Sequence, residues 1–500
     1  MRFKPFVLLP SVLLSACVVG PEYQSPDLQY SDQWALASPQ NEPSVFQYPT
    51  PELPSGANEQ SASASTIQTD WWHIFNDAQL EKYIGLAVLE NKDLRAARAR
   101  VKQARGLRQE IEALYYPDLD VSASLTRQGS SRTIGSNASS SGSRRTLYSA
   151  GMDASWELDL FGGIKRENEA EQARLERAME ERRAVLLAVL AETARSYYTI
   201  RGIQKRIAII HANIDLQKNT HDLINNLFQM GEATEFDLSR AQGQLELTQA
   251  RLPDLDADLK TAIFQLSILI GQPPESLLEE MLAAKPLPTP PDMVPLGLRS
   301  DILRRRPDIR LAERELAAAT ADIGVAIADL YPSFSLTGTI GRSASVFSDL
   351  FDSASNVFAI GPVLRWPVFQ GGAIRANIKI QEAHAEEAAI RYEQAVLNSL
   401  ADVESALTRY AQKLLTRDSL KNAMLSSERS TELARVLFNS GEENFLSVLD
   451  AERELTSVKD ALVISETDTI LNLIALYTAL GGGWELFEAQ ELEVFKTSTK

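Results

Sequence analysis

The sequence predicts a mainly α-helical chain that also contributes strands to a membrane β-barrel. Three observations predict this. Long proline-free stretches repeat apolar residues at steps of three and four, as helices do. Two stretches in each half of the chain alternate apolar and polar residues over about ten positions, as strands do when one face meets lipid and the other water. Landmarks in the first half return in the second at constant spacing, so the chain reads as two copies of a helix–strand–strand–helix unit.

The duplication rests on named positions. Leu227, Phe228, Gly231, Glu232, Ala241 and Leu245 match Leu437, Phe438, Gly441, Glu442, Ala451 and Leu455 at an offset of 210. Asp93, Tyr116 and Pro117 match Asp308, Tyr331 and Pro332 at an offset of 215.

Composition narrows the function classes. The chain has 500 residues, 44% of them hydrophobic, and a formal charge of −17, or −19 once a leader carrying Arg2 and Lys4 is removed. General nucleic-acid binding needs basic phosphate contacts, so an acidic chain is a poor candidate. Cys17 is the single cysteine, which rules out an internal disulfide. After the N-terminus no apolar run reaches the roughly 18–20 residues of an ordinary transmembrane helix. That argues against a helical transporter and leaves a β-barrel open.

In chain order, residues 1–16 read as a signal peptide: Arg2 and Lys4, then apolar Phe6–Leu14, then small Ser15 and Ala16. Residues 17–69 form an extended arm rich in Pro, Ser, Gln and Asn. The first repeat is expected over 70–271. Its leading helical pattern runs from Gln79 to Tyr115, with the main part starting at Asn91, and ends at Tyr116-Pro117. Strands are expected at about 118–127 and 147–160, separated by a Ser/Gly-rich loop near 129–145. Leu119, Val121, Ala123 and Leu125 alternate with Asp120, Ser122, Ser124 and Thr126. In the next strand Asp153, Glu157 and Asp159 share one face, which fits a wet lumen.

Beyond Gly162-Gly163 a long helix is expected. Leu186, Leu190, Ala194, Tyr197, Ile200, Ile203, Ile207, Ile210 and Ile214 repeat like a coiled-coil seam. At about 1.5 Å per residue this helix approaches roughly 100 Å. It turns at a hairpin tip near 227–237 and returns to Gly271 with a kink at Pro253. Residues 272–305 carry several prolines and cannot form one helix. The second repeat, 306–484, follows the same plan, with strands at about 333–341 and 357–368, a hairpin tip near 437–447, and a polar tail at 485–500.

Four strands cannot close a membrane barrel, and open edges are not tolerated in lipid. The barrel must be shared between chains. Two copies would fill its interior with side chains, whereas more would leave a channel.

These features resemble the outer-membrane factor, or TolC-like, family, and within it the NodT-type efflux lipoproteins. Leu14-Ser15-Ala16-Cys17 resembles a bacterial lipobox. The resemblance also rests on Val18-Val19-Gly20-Pro21-Glu22-Tyr23, Trp71-Trp72, Asn91-Lys92-Asp93-Leu94, Arg304–Arg310 and Leu446–Glu452. It implies lipid attachment at Cys17 and, from Val18 in the next position, retention at the outer membrane. It further implies a homotrimer with a 12-stranded β-barrel continuous with a long periplasmic α-helical barrel. The hairpin tips, Gly231 with Glu232 and Gly441 with Glu442, would meet a periplasmic adaptor. That adaptor would serve an inner-membrane pump of the resistance-nodulation-division class. The implied role is passive conduction of small molecules to the exterior, with no cofactor. Rings of carboxylates beyond the bends narrow the periplasmic entrance in this family. Asp450 and Asp237 match such positions. Ser447 stands where another acidic residue is found, and Glu443 stands where some relatives have a basic one.

Two other readings share parts of the pattern. The exit duct of a type I protein-secretion system has the same architecture. A structural coiled-coil lipoprotein explains the helices and Cys17 but not the strands. An enzyme is not expected: His73, His211, His221 and His384 form no metal-ligand spacing, and no phosphate loop or nucleophile elbow occurs.

Overall fold

The computed structural model describes residues 18–26, 45–47, 69–129, 144–291, 293–295, 300, 302 and 305–488. The expected signal peptide, Cys17, most of the arm, most of the Ser/Gly-rich loop and residues 489–500 lie outside the described residues. In chain order the elements are β1 (Val45–Gln47), α1 (Ala78–Glu90), α2 (Lys92–Ala113), β2 (Asp118–Gly129), β3 (Arg144–Leu158), α3 (Gly163–Met230), α4 (Glu235–Gln249) and α5 (Leu252–Leu269). There follow α6 (Leu278–Leu282), β4 (Met293–Pro295), α7 (Pro307–Ala328), β5 (Ser333–Ala344), β6 (Asn356–Arg365), α8 (Ala373–Asn439) and α9 (Phe445–Ala479). The chain divides into two compact units.

The first unit holds Arg100–Met179, Leu311–Glu393 and the described residues 18–26. Its centre is an antiparallel sheet in the order β2-β3-β5-β6. The register turns the sequence alternation into two faces. Val121, Met152, Ile340 and Phe358 lie in one row across all four strands. The adjoining row, on the opposite face, is Asp120, Asp153, Thr339 and Ala359. The apolar row is open to solvent in the isolated chain: Val121 is 80% exposed and Phe358 81%. Contiguous apolar surface of this kind needs a cover of lipid or protein.

The strand ends differ by a few residues from the sequence expectation, for local reasons. β3 stops at Leu158 because the Asp159 carboxylate accepts the Lys165 amide at 2.8 Å and caps the first turn of α3. β6 stops at Arg365 because its partner there, Ser333, is the first residue of β5. The Trp156 and Trp366 indoles, in β3 and just after β6, donate to the Tyr115 and Leu330 carbonyls at 3.0 and 3.1 Å, so each copy ties the end of its second strand to the turn after its leading helix.

The second unit holds the described residues of 28–99, Glu180–Arg310 and 394–500. Asn91 separates α1 from α2: its side chain accepts the Leu94 amide at 3.0 Å and donates to Leu269 O at 2.9 Å. Most of the seam of α3 is buried as its spacing implies, with Leu190, Ala194, Tyr197 and Ile200 wholly enclosed and Ile203 and Ile207 half-buried. Gly202 lets α9 approach closely, since a Cβ there would run into the Thr467 side chain. The return after the first tip is two helices, with Pro253 in the first turn of α5, where its missing N–H costs nothing. The second return, α9, is unbroken for 35 residues. Among the described residues it is the one helix long and apolar enough to cross a membrane, but half of its most apolar window is buried inside the protein. The N-terminal arm supplies β1, which pairs antiparallel with β4 of the inter-repeat segment.

Candidate functional site at the hairpin tips

Both tips are built by the same backbone device. Gly231 has φ +82 and Gly441 has φ +79. Each amide bonds back three residues, to Phe228 O and Phe438 O at 3.0 Å. The next amides, of Glu232 and Glu442, bond back five residues to Leu227 O and Leu437 O at 2.9 Å. This is a Schellman stop, which satisfies the orphan carbonyls of a helix end and requires a left-handed residue. Glycine adopts that conformation without a Cβ penalty. Beneath the bends Ile224 and Ala241 from the first hairpin pack with Phe445, Val448 and Leu449 from the second. The two copies therefore meet in one small apolar core, and the tips form a single site.

The predicted gate residues bond within their own hairpins. Asp237 closes a capping box at the start of α4: its carboxylate accepts from the Thr234 amide at 3.2 Å, while its own amide donates to the Thr234 hydroxyl at 3.2 Å. Ser447 holds the equivalent place in α9. Its amide donates to the Asn444 side chain at 3.1 Å and its hydroxyl to Glu443 at 2.8 Å. Asp450 lies one turn further on, 58% exposed and 3.6 Å from Arg453. Glu232 and Glu442 point into solvent, as a docking surface requires.

One ionisable group at this site had no role in the sequence reading. Glu452 is 3% exposed and accepts from Arg435 at 2.8 and 3.2 Å. Burial pushes its carboxyl above the ordinary glutamate value, against the pull of Arg435. The signal for it was the repeat itself. The position 210 residues earlier is Gln242, a neutral side chain in place of a charge. The same alignment sets Arg240 against Asp450.

Comparison with known proteins decides the family. The model of the outer membrane efflux protein family matches residues 83–272 and 298–482. The chain belongs to the outer membrane efflux protein family. The efflux protein is 30% identical to Nodulation protein T of Rhizobium leguminosarum bv. trifolii over 490 residues, covering 97% of this chain and 98% of the relative. It is also 30% identical to the probable outer membrane lipoprotein SilC of Salmonella typhimurium, over 94% of this chain and 97% of the relative. A solved structure of the outer-membrane channel OprN superimposes with a TM-score of 0.83 at 33% identity, over 94% of this chain and all of that one. The fold is that of the outer-membrane efflux channels. The efflux protein is accordingly an outer-membrane channel component of an efflux system, as the sequence predicted. Among its described residues no group of His, Cys, Asp and Glu is placed to hold a metal ion.

Proposed function

We propose that three copies of this chain assemble into one passive duct that carries small molecules from a periplasmic adaptor and an inner-membrane pump to the exterior. The observation that carries this reading is the open sheet. β2 and β6 are edge strands of a four-stranded sheet whose apolar face is uncovered. Lipid does not tolerate unpaired edges, so β6 of one copy must pair with β2 of the next. Three copies supply twelve strands, enough to leave a channel where eight would be filled by side chains.

In this assembly the tips, with Gly231, Glu232, Gly441 and Glu442 at the bends, face away from the membrane and receive the adaptor. The pump is of the resistance-nodulation-division class. Asp450, Asp237 and Ser447 ring the entrance beneath them. Cys17 carries the lipid that holds the assembly to the outer membrane, as the lipoprotein name of SilC also suggests. The chain supplies a conduit and no chemistry of its own. The assembly is tested by measuring the mass of the purified protein in detergent. The test includes cysteines introduced on the two edges, Ser122→Cys in β2 and Ala359→Cys in β6. A mass of three chains, and an oxidised product that closes at three, is the expected result. A monomeric mass with no cross-linked product would sink the reading.

A further inference from the structure

Residues 18–26 lie in a seat built by the first unit. Arg166, in the first turn of α3, is 4% exposed. Its Nε donates to Val19 O at 3.0 Å and its Nη2 to Gly20 O at 3.3 Å. Its Nη1 pairs with Glu169 at 2.6 Å. In the other direction the Val19 amide donates to Phe161 O at 3.2 Å. Val18 covers Gly162, where a Cβ would come within 2.9 Å of the valine Cγ1. Gly20 has φ +88 and lies on Gly324, so close that a Cβ on Gly20 would be 2.5 Å from the Gly324 Cα. Further along, Tyr23 and Ser25 both donate to Glu313, at 3.0 and 3.2 Å, and the Arg314 guanidinium faces the Tyr23 ring at 5.7 Å.

The pattern is specific to this segment. A buried guanidinium is expensive unless each donor is used. Glu169 alone would balance the charge and support α3, yet two of the three nitrogens are spent on main-chain carbonyls about 146 residues away in sequence. The seat therefore reads the backbone of 18–20, and the close glycine contacts fix its height.

We propose that Arg166 is the positioning residue for the segment that follows the anchor cysteine. It holds that segment on the corner between β3 and α3, and so sets where the anchor meets the membrane. The anchor part of this rests on the reading of Cys17 as the lipid-bearing residue. Cys17 precedes Val18 directly in the sequence, so a lipid on it would be tethered one residue from the docked segment.

The test is hydrogen exchange on the purified full-length protein, comparing Arg166→Ala, Arg166→Lys and Glu169→Gln. In Arg166→Ala the peptide 18–26 should exchange about tenfold faster or more, because charge-assisted hydrogen bonds to it are lost. Arg166→Lys should fall between, since an ammonium cannot span both carbonyls, and so should Glu169→Gln, which keeps both carbonyl bonds but removes the countercharge of the buried guanidinium. The peptide 163–180 of α3 should be unchanged throughout. Unaltered exchange in 18–26 would overturn the proposal. So would an equal rise in 163–180, which would make Arg166 a helix-stabilising residue only. Palmitate labelling separates the two readings. The parent protein and Arg166→Ala should take label, and Cys17→Ala should not. An unlabelled parent protein whose segment 18–26 still depends on Arg166 would sink the lipid reading and the anchoring role, leaving only a backbone seat.

Discussion

The two hairpin tips are the same structure made twice, with different side chains. Both end their long helix with a glycine at positive φ and the same pair of backbone hydrogen bonds, and both lend residues to one apolar core. Their polar positions have diverged. Asp237 faces Ser447 in the alignment, Arg240 faces Asp450, and Gln242 faces Glu452. In the first copy Arg240 lies over the Phe236 ring at 5.2 Å, whereas Asp450 stands beside Arg453. The backbone and the apolar residues fix the bend, and the polar residues are free to set charge and local stability. A single chain can thus offer two geometrically equivalent tips that differ electrically.

The largest contrast is expected from Arg435→Ala. It would leave the Glu452 carboxylate buried beside an unsatisfied oxygen. Breaking one side of a buried pair costs about 3–5 kcal/mol, and partial exposure of Arg435 reduces that to about 2–3. The equivalent change in the first copy, Asn225→Ala, should cost under about 1 kcal/mol. Hydrogen exchange of peptides spanning the two tips measures both. Equal losses would mean the two copies are not energetically distinct.

A smaller effect should be shared. Gly441→Ala and Gly231→Ala each force a Cβ into a left-handed conformation, at about 1–2 kcal/mol. Neither glycine has a neighbouring atom within reach of an added Cβ, so conformation alone sets the cost. Thermal melts of the two variants should agree closely. A marked difference would show that the Schellman stop does not carry the same load in both copies.

The pH response should again separate the tips. Burial raises Glu452 above the ordinary value of 4.5, so the folded state holds its proton more tightly than the unfolded chain does. Stability from this group is therefore fully present below the unfolded value and is lost as pH rises through the raised one. The second tip, 434–452, should gain protection on acidification toward the ordinary value of 4.5 once exchange is corrected for its intrinsic rate. Glu452→Gln should abolish that gain, and the first tip should show none. A gain that survives in Glu452→Gln would assign it to another group.

Much of this architecture was legible in the sequence because it is written in periodicity. The seam of α3, the strand alternation and the twin glycine stops all follow from spacing, and each reappears in the structure. What spacing could not give was pairing between distant segments. Nothing local marks Val45–Gln47 as a strand, since its partner β4 lies some 250 residues away. Pro253 announced a kink, but whether a helix bends or restarts depends on the packing around it. At the site, the glycines were found from their spacing. Asp237 is expected to be a gate residue, and the bond it accepts from the Thr234 amide adds a capping role that three residues of sequence, Thr-Glu-Phe before Asp237, already spell. Glu452 stayed without a role because a glutamate on a helix reads as solvated until its neighbours are known.

The smallest effect concerns conduction. Asp450 is more than half exposed, so its removal should leave stability within about 0.5 kcal/mol. Three such carboxylates converging on one axis would repel one another and attract cations. Asp450→Ala should therefore raise single-channel conductance in planar bilayers and weaken cation preference. Arg240→Ala should shift preference the other way, toward cations, because it removes the opposite charge from the equivalent place. Screening sets the size of both effects. At about 0.1 M salt the Debye length is roughly 10 Å and the charges reach across a narrow entrance, whereas at about 1 M it is roughly 3 Å and the variants should converge on the parent protein. A conductance unchanged at low salt would remove Asp450 from the gate. A change that persists at high salt would mean that the side chain narrows the entrance by its bulk rather than by its charge.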